Sequence, residues 1–299
     1  MNKALVIINP SSGKEKAEEY TDQIKEILKR RYERVEVKKT QGAGDARRFA
    51  DEGTREGVEL IVAVGGDGTV NEAVNGIAPH EKRPKFAIVP MGTVNDLARV
   101  LQIPLDAKEA VEMLSEEHLE TIDLARANDR YFTNAMAVGR IPESIHEVSA
   151  EEKSKLGPLA YLWAGAKKLF ENEKIGVKVT SREKEFEGEL SAVVMSLTGQ
   201  LGGIKDVFPE AKLQDGKIHI LLVHELDLAE TTKMLPEILS RRITESENMT
   251  YITTDQVTLE ALDGKTYVSD VDGEEGPELP VTVEVLKSHL DVLVPEKEQ

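Results

Sequence analysis

Leu60-Ile-Val-Ala-Val64, followed by Gly65-Gly-Asp-Gly-Thr69, decides the fold of this chain. The apolar run predicts a buried strand, and Val70-Asn-Glu-Ala-Val74 behind the glycines predicts a helix. Glycines let the backbone approach a ligand closely, and a helix start offers free N–H groups and a positive dipole end. This turn therefore predicts a phosphate-binding site, and the carboxylate of Asp67 predicts that a cation such as Mg²⁺ shares it.

Two further turns repeat this arrangement. Asn9-Pro-Ser-Ser-Gly13 follows the apolar run Leu5–Ile8, and Pro90-Met-Gly-Thr93 follows Phe86–Val89. Each turn alone also fits an ordinary strand-to-helix connection, where Gly, Pro and Ser are common. Since loops at the carboxyl ends of parallel strands face one crevice, the turns together predict a single ligand site.

The helix starts carry a second local signal. A capping box pairs a Ser or Thr with an acidic residue three positions later, and each side chain satisfies a backbone N–H of the other residue. The pairs with this spacing are Thr69 with Glu72, Ser12 with Glu15 and, more loosely, Thr93 with Asp96. The spacing predicts that each of these helices begins close to its Ser or Thr.

Composition limits the class of protein. The 299 residues suffice for two domains, and 40% hydrophobic with 31% charged residues is ordinary for a globular protein. No apolar run is long enough to span a bilayer, and the start of the chain does not read as a signal peptide, so a cytoplasmic protein is expected. The net charge of −17 argues against nucleic acid as a partner, and the absence of cysteine excludes disulfides and thiolate chemistry.

The chain reads as two domains. Residues 1–124 alternate strands and helices, which predicts an α/β domain with a parallel sheet. The expected strands lie near 4–8, 34–38, 59–64 and 86–90, and the helices near 14–31, 44–56, 69–76, 93–100 and 106–115. Residues 125–288 predict a mainly antiparallel β-sandwich, with strands near 131–138, 176–180, 190–196, 218–223, 256–262, 266–271 and 281–285, and helices at 157–171 and 228–241. A final strand at 289–294 is expected to return to the first domain, which residues 289–299 would then complete.

Other nucleotide and catalytic motifs are weak or absent. Gly264-Lys-Thr266 ends like a Walker A loop, but Leu259 stands where its first glycine belongs. In Gly42-Ala-Gly44 the third glycine of a dinucleotide fingerprint is replaced by Arg47. The histidines show no metal-type spacing, and no Gly-x-Ser-x-Gly elbow is present.

A family resemblance narrows the function. Asn9–Gly13, Gly65–Thr69, Pro90–Arg99 and Asp272-Gly-Glu274 together resemble the diacylglycerol kinase catalytic family, in particular its soluble bacterial members. The resemblance covers essentially the whole chain. It implies an α/β nucleotide domain, a β-sandwich domain, an active site in the cleft between them, and transfer of phosphate from ATP to a lipid hydroxyl with Mg²⁺.

The resemblance also implies the site residues. It places ATP against Asn9, Pro10, Ser11, Ser12, Gly13, Thr40, Gly66, Asp67, Gly68, Thr69, Val70, Asn71, Glu72 and Thr93. It implies a catalytic Mg²⁺ held partly through water by Asp67, Asp96 and Asp123, and a structural Mg²⁺ on the carboxylate of Asp215 and the backbone carbonyls of Lys212 and Lys217. Glu274 corresponds to the general base, with Asp272 as a second catalytic carboxylate beside it.

Simpler roles remain open for several of these residues. Asp272-Gly273 and Asp215-Gly216 are both good hairpin turns, and Asp123 could cap a strand edge. Asn71 and Asn95 could orient loops through their side chains without touching a ligand.

The sequence predicts an ATP- and Mg²⁺-dependent lipid kinase that converts diacylglycerol to phosphatidic acid at the inner membrane surface. The alternatives are a kinase of another lipid alcohol (phosphatidylglycerol, undecaprenol or a sphingoid base), an NAD kinase, and a nucleotide-binding regulator without turnover. The apolar face of helix 157–171, with Trp163 beside Lys167 and Lys168, is a candidate for transient membrane contact, although packing on its own sandwich is favoured. A homodimer is left open, because the sequence does not set the oligomeric state.

Overall fold

A computed structural model describes residues 2–13, 17–139, 174–201, 205–224 and 248–296. The chain forms two compact units. The first contains Met1–Leu124, Tyr131–Thr133 and Lys287–Gln299, and the second contains Ala125–Arg130 and Asn134–Leu286. The predicted helices at 157–171 and 228–241, with Trp163, Lys167 and Lys168, lie outside the described residues, as does Glu15. Where the chain is described, no helix is both long and apolar enough to cross a membrane.

The first half of the chain alternates strands and helices, as predicted. The strands are β1 (Lys3–Ile8), β2 (Arg34–Lys39), β3 (Leu60–Gly65), β4 (Lys85–Pro90), β5 (Leu119–Ala127) and β6 (Arg130–Phe132). The helices are α1 (Thr21–Leu28), α2 (Asp45–Arg55), α3 (Asp67–Ile77), α4 (Asp96–Val100) and α5 (Ala107–Met113), and a 3₁₀ turn (Ala17–Tyr20) precedes α1.

The first unit is built on a parallel sheet in the order β2-β1-β3-β4. All residues of β3 are buried, as expected for a parallel strand that is covered on both faces. The chain runs from β1 outward to β2 and then returns to β3 on the other side of β1. The carboxyl ends of β1 and β3 therefore meet at a topological switch point, the position where such sheets bind ligands.

Helix α3 packs tightly against α2. A side chain on Gly76 of α3 would collide with the carbonyl oxygen of Arg47 and, at 2.7 Å, with the Cβ of Ala50, both on α2. Glycine at this position therefore lets the two helix backbones approach each other closely. This contact fixes the direction of α3, whose first residue is Asp67.

The second unit contains two antiparallel sheets. Its strands are β7 (Ala135–Gly139), β8 (Ile175–Ser181), β9 (Glu185–Leu190), β10 (Ala192–Ser196), β11 (Ile218–Val223), β12 (Met249–Thr254), β13 (Gln256–Ala261), β14 (Val268–Val271), β15 (Glu274–Glu278) and the first part of β16 (Val281–Leu293). One sheet has the order β12-β11-β10-β7-β14-β15, and the other, β16-β13-β8-β9, is the antiparallel part of a ten-stranded sheet that also contains β2-β1-β3-β4. The predicted fold class, an α/β half followed by an antiparallel half, is confirmed.

Several boundaries differ from the predictions. The segment predicted as one strand at 131–138 is two strands, β6 and β7. Conversely, the strands predicted at 281–285 and 289–294 are a single strand of 13 residues, β16, because the polar residues between them continue the extended backbone. The end of β16 pairs with β4 through Val292 and Phe86, both in the first unit.

Candidate active site

The three glycine-containing turns of the first unit contact one another directly. The side-chain amide of Asn9, after β1, donates a hydrogen bond to Thr69 Oγ1 at 3.1 Å, across the switch point. The backbone N–H of Gly13 donates to the carbonyl of Met91 at 3.0 Å, and the N–H of Met91 donates to the carbonyl of Gly65 at 2.8 Å. The turns after β1, β3 and β4 thus form one continuous surface at the carboxyl edge of the sheet.

Glycines leave room for close packing where the turns after β3 and β4 meet. A Cβ on Gly65 would lie 2.5 Å from Thr69 Oγ1, and a Cβ on Gly92 would lie 2.8 Å from the Cα of Gly66. Gly66 itself has an ordinary extended backbone, with φ −88° and ψ −172°. Gly66 and Gly92 therefore favour glycine because two backbones meet here, and Gly65 because a side chain would meet that of Thr69; none of the three needs a left-handed turn.

Asp67 joins the second turn to the third. Its carboxylate accepts the N–H of Asn95 on Oδ2 and the N–H of Asp96 on Oδ1, both at 2.8 Å. These N–H groups lie at the start of α4, where no partner within the helix is available. Asn95, with φ 53°, exchanges two hydrogen bonds of 2.9 Å with the backbone of Gly92. Asp67 is therefore held in one orientation, and both of its oxygens keep a lone pair for a further ligand.

The predicted capping box at Thr69 and Glu72 is wrong. Helix α3 begins at Asp67 with Gly66 as its N-cap, so Thr69 lies inside the first turn. The carboxylate of Glu72 instead accepts the N–H of Gly44 at 2.8 Å and the N–H of Ala46 at 3.0 Å, and so caps helix α2. Tertiary packing brings the start of α2 to Glu72, and the local spacing gives no sign of this.

The looser box at Thr93 and Asp96 is also wrong. Helix α4 begins at Asp96 with Asn95 as its N-cap, and Thr93 is an exposed residue of the preceding turn. The carboxylate of Asp67, which belongs to a different helix, accepts the N–H of Asp96 that the box was expected to satisfy, together with the N–H of Asn95.

The other residues expected to contact a nucleotide lie on the same edge of the sheet. Asn9 Oδ1 accepts hydrogen bonds from the N–H and the hydroxyl of Ser11, which shapes the first turn. Thr40 follows β2 and bonds to the carbonyl of Ile8 at 2.9 Å. Pro10, Ser12 and Gly13 are partly exposed, as is Gly68, whereas Val70 and Asn71 are buried in α3.

The carboxylate of Asp45, which follows the loop after β2, has a lowered pKa. A hydrogen bond from the backbone N–H of Gln41, followed by one from the Arg48 side chain, lowers the pKa of Asp45 below its ordinary value. Asp45 is the first residue of α2, where the helix dipole favours a negative charge as well.

The aspartates expected to serve Mg²⁺ do not form a compact cage. Asp67 and Asp96 adjoin through the hydrogen bond already described, while Asp123 is buried on β5 and accepts the N–H of Ser288 on Oδ1 at 2.7 Å. Across the described ranges, no group of three or more acidic or histidine side chains is close enough to hold a metal. The oxygen ligands suit Mg²⁺, but they fit a cation bound partly through water and not one that is enclosed by the protein.

In the second unit, Asp272 and Gly273 form the hairpin turn between β14 and β15. Both have positive φ, 51° and 84°, as the tight turns between antiparallel strands require. Asp272 Oδ1 accepts the N–H groups of Asn134 at 3.0 Å and Ala135 at 2.8 Å. Asp272 therefore fixes the turn against the backbone of the segment that enters β7. This is the structural role that the sequence left open.

Glu274 follows this turn and has a different environment. Its Oε2 accepts a hydrogen bond from the guanidinium of Arg130. The side chain of Glu274 is 37% exposed and that of Arg130 24%. No signal in the sequence marks Arg130, because a lone arginine at the start of a strand carries no spacing pattern.

The loop at Lys212–Lys217 closes on its own groups. Asp215 Oδ2 accepts the N–H of Lys212 at 3.1 Å, and Oδ1 accepts the N–H of Lys217 at 2.9 Å. Nε2 of the buried His219 lies 2.9 Å from Asp215 Oδ2, and since a carboxylate only accepts, this nitrogen carries the proton. Three N–H groups thus occupy the carboxylate expected to bind structural Mg²⁺. No motif in the sequence marks His219 as a partner of this carboxylate.

Comparison with known proteins agrees with this architecture. Residues 3–127 match the family model described as the diacylglycerol kinase catalytic domain, and residues 141–294 match the YegS C-terminal NAD kinase beta sandwich-like domain. A Streptococcus pneumoniae protein, provisionally named a lipid kinase, is 35% identical over 298 residues and covers 100% of both chains.

Two further similar proteins carry a more specific name. A Staphylococcus carnosus protein named diacylglycerol kinase is 33% identical over 293 residues, covering 98% of this chain and 95% of its own. A crystal structure of a Bacillus anthracis protein, titled as a diacylglycerol kinase, superposes with a TM-score of 0.81 at 30% identity and covers 98% of this chain and 97% of its own. The chain therefore belongs to the diacylglycerol kinase catalytic family and is an enzyme of the lipid kinase class.

Proposed function

We propose that this enzyme transfers the γ-phosphate of ATP to the hydroxyl of diacylglycerol and so produces phosphatidic acid. The observation that carries the proposal is the contact between three strand-end turns around the oriented carboxylate of Asp67. Phosphoryl transfer depends on positioning and on charge neutralisation, and such a surface offers both.

The nucleotide would lie along the turns that begin at Asn9, Gly66 and Met91. Exposed and partly exposed backbone at these turns, together with the start of α3, suits phosphate oxygens. Thr40 and Thr93 border the same edge of the sheet, and Glu72 would act indirectly, by holding the start of α2.

Mg²⁺ would be held by Asp67, Asp96 and Asp123, partly through water, because the described carboxylates form no tight cage. When bound, it neutralises charge on the phosphate oxygens. Asp67 would be the fixed member of this set, since both of its oxygens are already oriented by backbone N–H groups.

Glu274 would accept the proton of the attacking lipid hydroxyl. Of the two carboxylates at the hairpin, Asp272 is committed to backbone N–H groups, whereas Glu274 is anchored through Oε2. A carboxylate held by one oxygen can direct its other oxygen at a hydroxyl proton, as a general base must.

The lipid substrate implies that the enzyme works at a membrane surface. With a net charge of −17, the protein as a whole is repelled by anionic lipid, so we expect peripheral and transient contact. Diacylglycerol is favoured as the acceptor because the similar proteins of Staphylococcus carnosus and Staphylococcus aureus carry the name diacylglycerol kinase.

A lipid-panel assay tests the proposal. The enzyme is incubated with Mg²⁺ and γ-labelled ATP against separate vesicles that contain dioleoylglycerol, phosphatidylglycerol, undecaprenol or a sphingoid base, and against NAD in solution. We expect phosphatidic acid as the main product by mass spectrometry. Labelling of another lipid alcohol would show that diacylglycerol is not the acceptor. Labelling of NAD would show that the enzyme is an NAD kinase. ATP binding without any labelled product would indicate a nucleotide-binding regulator.

A further inference from the structure

The two carboxylates of the β14–β15 hairpin have different freedom. The carboxylate of Asp272 accepts two backbone N–H groups, and its own N–H donates to the carbonyl of Ala135 at 2.8 Å. Gly273 donates its N–H to Asp270 Oδ1 at 3.0 Å. The turn is therefore fixed from both sides, and Glu274 leaves it from a defined backbone position.

Glu274 itself is held by a single group. Among the described residues, the only hydrogen-bond partner of its side chain is the guanidinium of Arg130, which contacts Oε2. The second oxygen, Oε1, has no partner in that part of the chain. This arrangement leaves the proton-accepting atom available and restricts the rotation of the side chain that carries it.

Arg130 also comes from a fixed backbone. It is the first residue of β6 and follows a turn in which Asn128 has φ 52°. Asn128 forms two hydrogen bonds with the backbone of Thr282. Its own backbone N–H donates to the Thr282 carbonyl at 2.9 Å, and its Oδ1 accepts the Thr282 N–H at 3.0 Å. Arg130 and Glu274 thus each follow a turn that hydrogen bonds to the backbone hold in place.

Stability alone gives a weak reason for this pair. The pair is only partly buried, with 24% of the Arg130 side chain and 37% of the Glu274 side chain exposed, so solvent still screens it and two long side chains must be ordered, which limits its contribution to folding. Misplacement of a catalytic group by about 1 Å, in contrast, can cost about 100-fold in rate. The Arg130–Glu274 pair therefore has more to contribute to catalysis than to folding.

We propose that Arg130 is the positioning residue of Glu274, holding Oε2 so that Oε1 points at the hydroxyl of the acceptor lipid. This inference rests on the proposed function, in which Glu274 is the general base. Arg130 acts through Glu274 and needs no contact of its own with the lipid or the nucleotide.

The chain offers a matched control. Arg126 pairs with Glu284 in the same unit, again through a guanidinium nitrogen and one carboxylate oxygen, with Arg126 more exposed than Arg130, at 41% against 24%. Steady-state kinetics with Mg-ATP and dioleoylglycerol in mixed micelles would compare wild type with Arg130→Gln, Arg130→Lys and Arg126→Gln. We expect Arg130→Gln to lose about 100-fold in kcat with an unchanged KM for ATP, Arg130→Lys to lose less, and Arg126→Gln to stay within about twofold.

A double-variant cycle separates positioning from folding. If Arg130 acts only through Glu274, then Arg130→Gln adds no further loss to Glu274→Gln. The proposal is overturned if Arg130→Gln keeps the kcat of Arg126→Gln, or if the losses of the two single variants multiply in the double variant. Should Arg130→Gln fail to fold by circular dichroism, Arg130→Lys decides, since a kcat equal to that of wild type with KM unchanged would overturn the proposal. An inactive wild type would instead remove the proposed function, and with it this inference.

Discussion

The side-chain amide of Asn75 binds both backbone groups of Tyr131. Its Oδ1 accepts the N–H of Tyr131 at 2.9 Å, and its Nδ2 donates to the carbonyl at 2.8 Å. Asn75 lies on α3, two turns after Asp67, and is only 2% exposed. A buried side chain thus serves Tyr131 as a neighbouring strand would, and it fixes the far end of the helix that begins at Asp67.

We expect Asn75→Asp to lower the free energy of unfolding by about 2–3 kcal/mol, because it removes the donor to Tyr131 and buries a charge beside a carbonyl. Urea unfolding followed by circular dichroism measures the change. Asn128→Asp is the matched control, since the Nδ2 of Asn128 makes an exposed 3.3 Å contact with Pro280. Equal losses in the two variants would contradict a buried role for the Asn75 amide.

We expect Asp67→Asn to lose at least about 100-fold in lipid phosphorylation while the protein remains folded, because one charged acceptor at the start of α4 is lost together with a proposed ligand of Mg²⁺. Asp106→Asn is the control, since the Asp106 carboxylate caps α5 in a similar way, accepting the N–H groups of Lys108 and Glu109. Both variants should lower the thermal midpoint slightly, and only Asp67→Asn should lower turnover. Full activity of Asp67→Asn would exclude a catalytic role.

Gly92→Ala is expected to weaken binding of Mg-ATP by at least about tenfold, because the new methyl group would force apart turns that must act together. Its Cβ would lie 2.7 Å from Asn95 Oδ1 and 2.8 Å from the Cα of Gly66. Gly42→Ala provides the control, since nothing lies within 4 Å of a Cβ there. Isothermal titration with Mg-ATP would measure both, and unaltered affinity in Gly92→Ala would show that the contact of the two turns is dispensable.

The pH dependence of stability should report on Tyr251, whose hydroxyl contacts Nδ1 of His219. Burial first, then the charges of Glu210 and Asp215, raise the pKa of Tyr251 from 10.0 to about 12. A raised pKa means that the stabilising contribution is complete below pH 10 and is lost as the pH rises toward 12. Thermal midpoints across this range should therefore fall less steeply for Tyr251→Phe than for wild type, and parallel curves would contradict the shift.

The strands β1 to β4 and their turns were predictable from local signals, whereas β5 was not predicted. A short apolar run such as Leu60–Val64 favours a buried strand, and the glycine-rich segment behind it marks the turn. The expectation that the three turns share one edge rested on the parallel sheet, and the hydrogen bond between Asn9 and Thr69 confirms their proximity. Their role in binding ATP stays a prediction.

The roles of individual polar side chains were less predictable. Glu72 has the spacing of a capping partner for its own helix, yet it caps α2, because helix packing brings that helix start within reach. Asp67 similarly serves α4, which begins almost thirty residues later, at Asp96. Propensity rules describe neighbours along the chain, whereas these carboxylates bind neighbours in space.

Arg130 and His219 show a second limit. Each is a single polar residue in a strand, so no periodicity or spacing marks it. Each gains its meaning from a carboxylate that is distant in sequence or is held by a loop, Glu274 in one case and Asp215 in the other. The Arg130–Glu274 pair depends on how distant strands are arranged, and the Asp215–His219 pair on how the loop before β11 folds, and the sequence alone supplies neither.

The first unit draws part of its structure from the far end of the polypeptide. Lys287–Gln299 belong to it, and within this segment Ser288 binds Asp123 while Val292 pairs with Phe86. A ribosome makes these residues only after the entire second unit. The first unit therefore cannot finish folding before the second unit has been synthesised, and a fragment cut at residue 124 would lack its final strand. To express the first unit by itself, residues 287–299 would have to be joined to residues 1–124 through a linker.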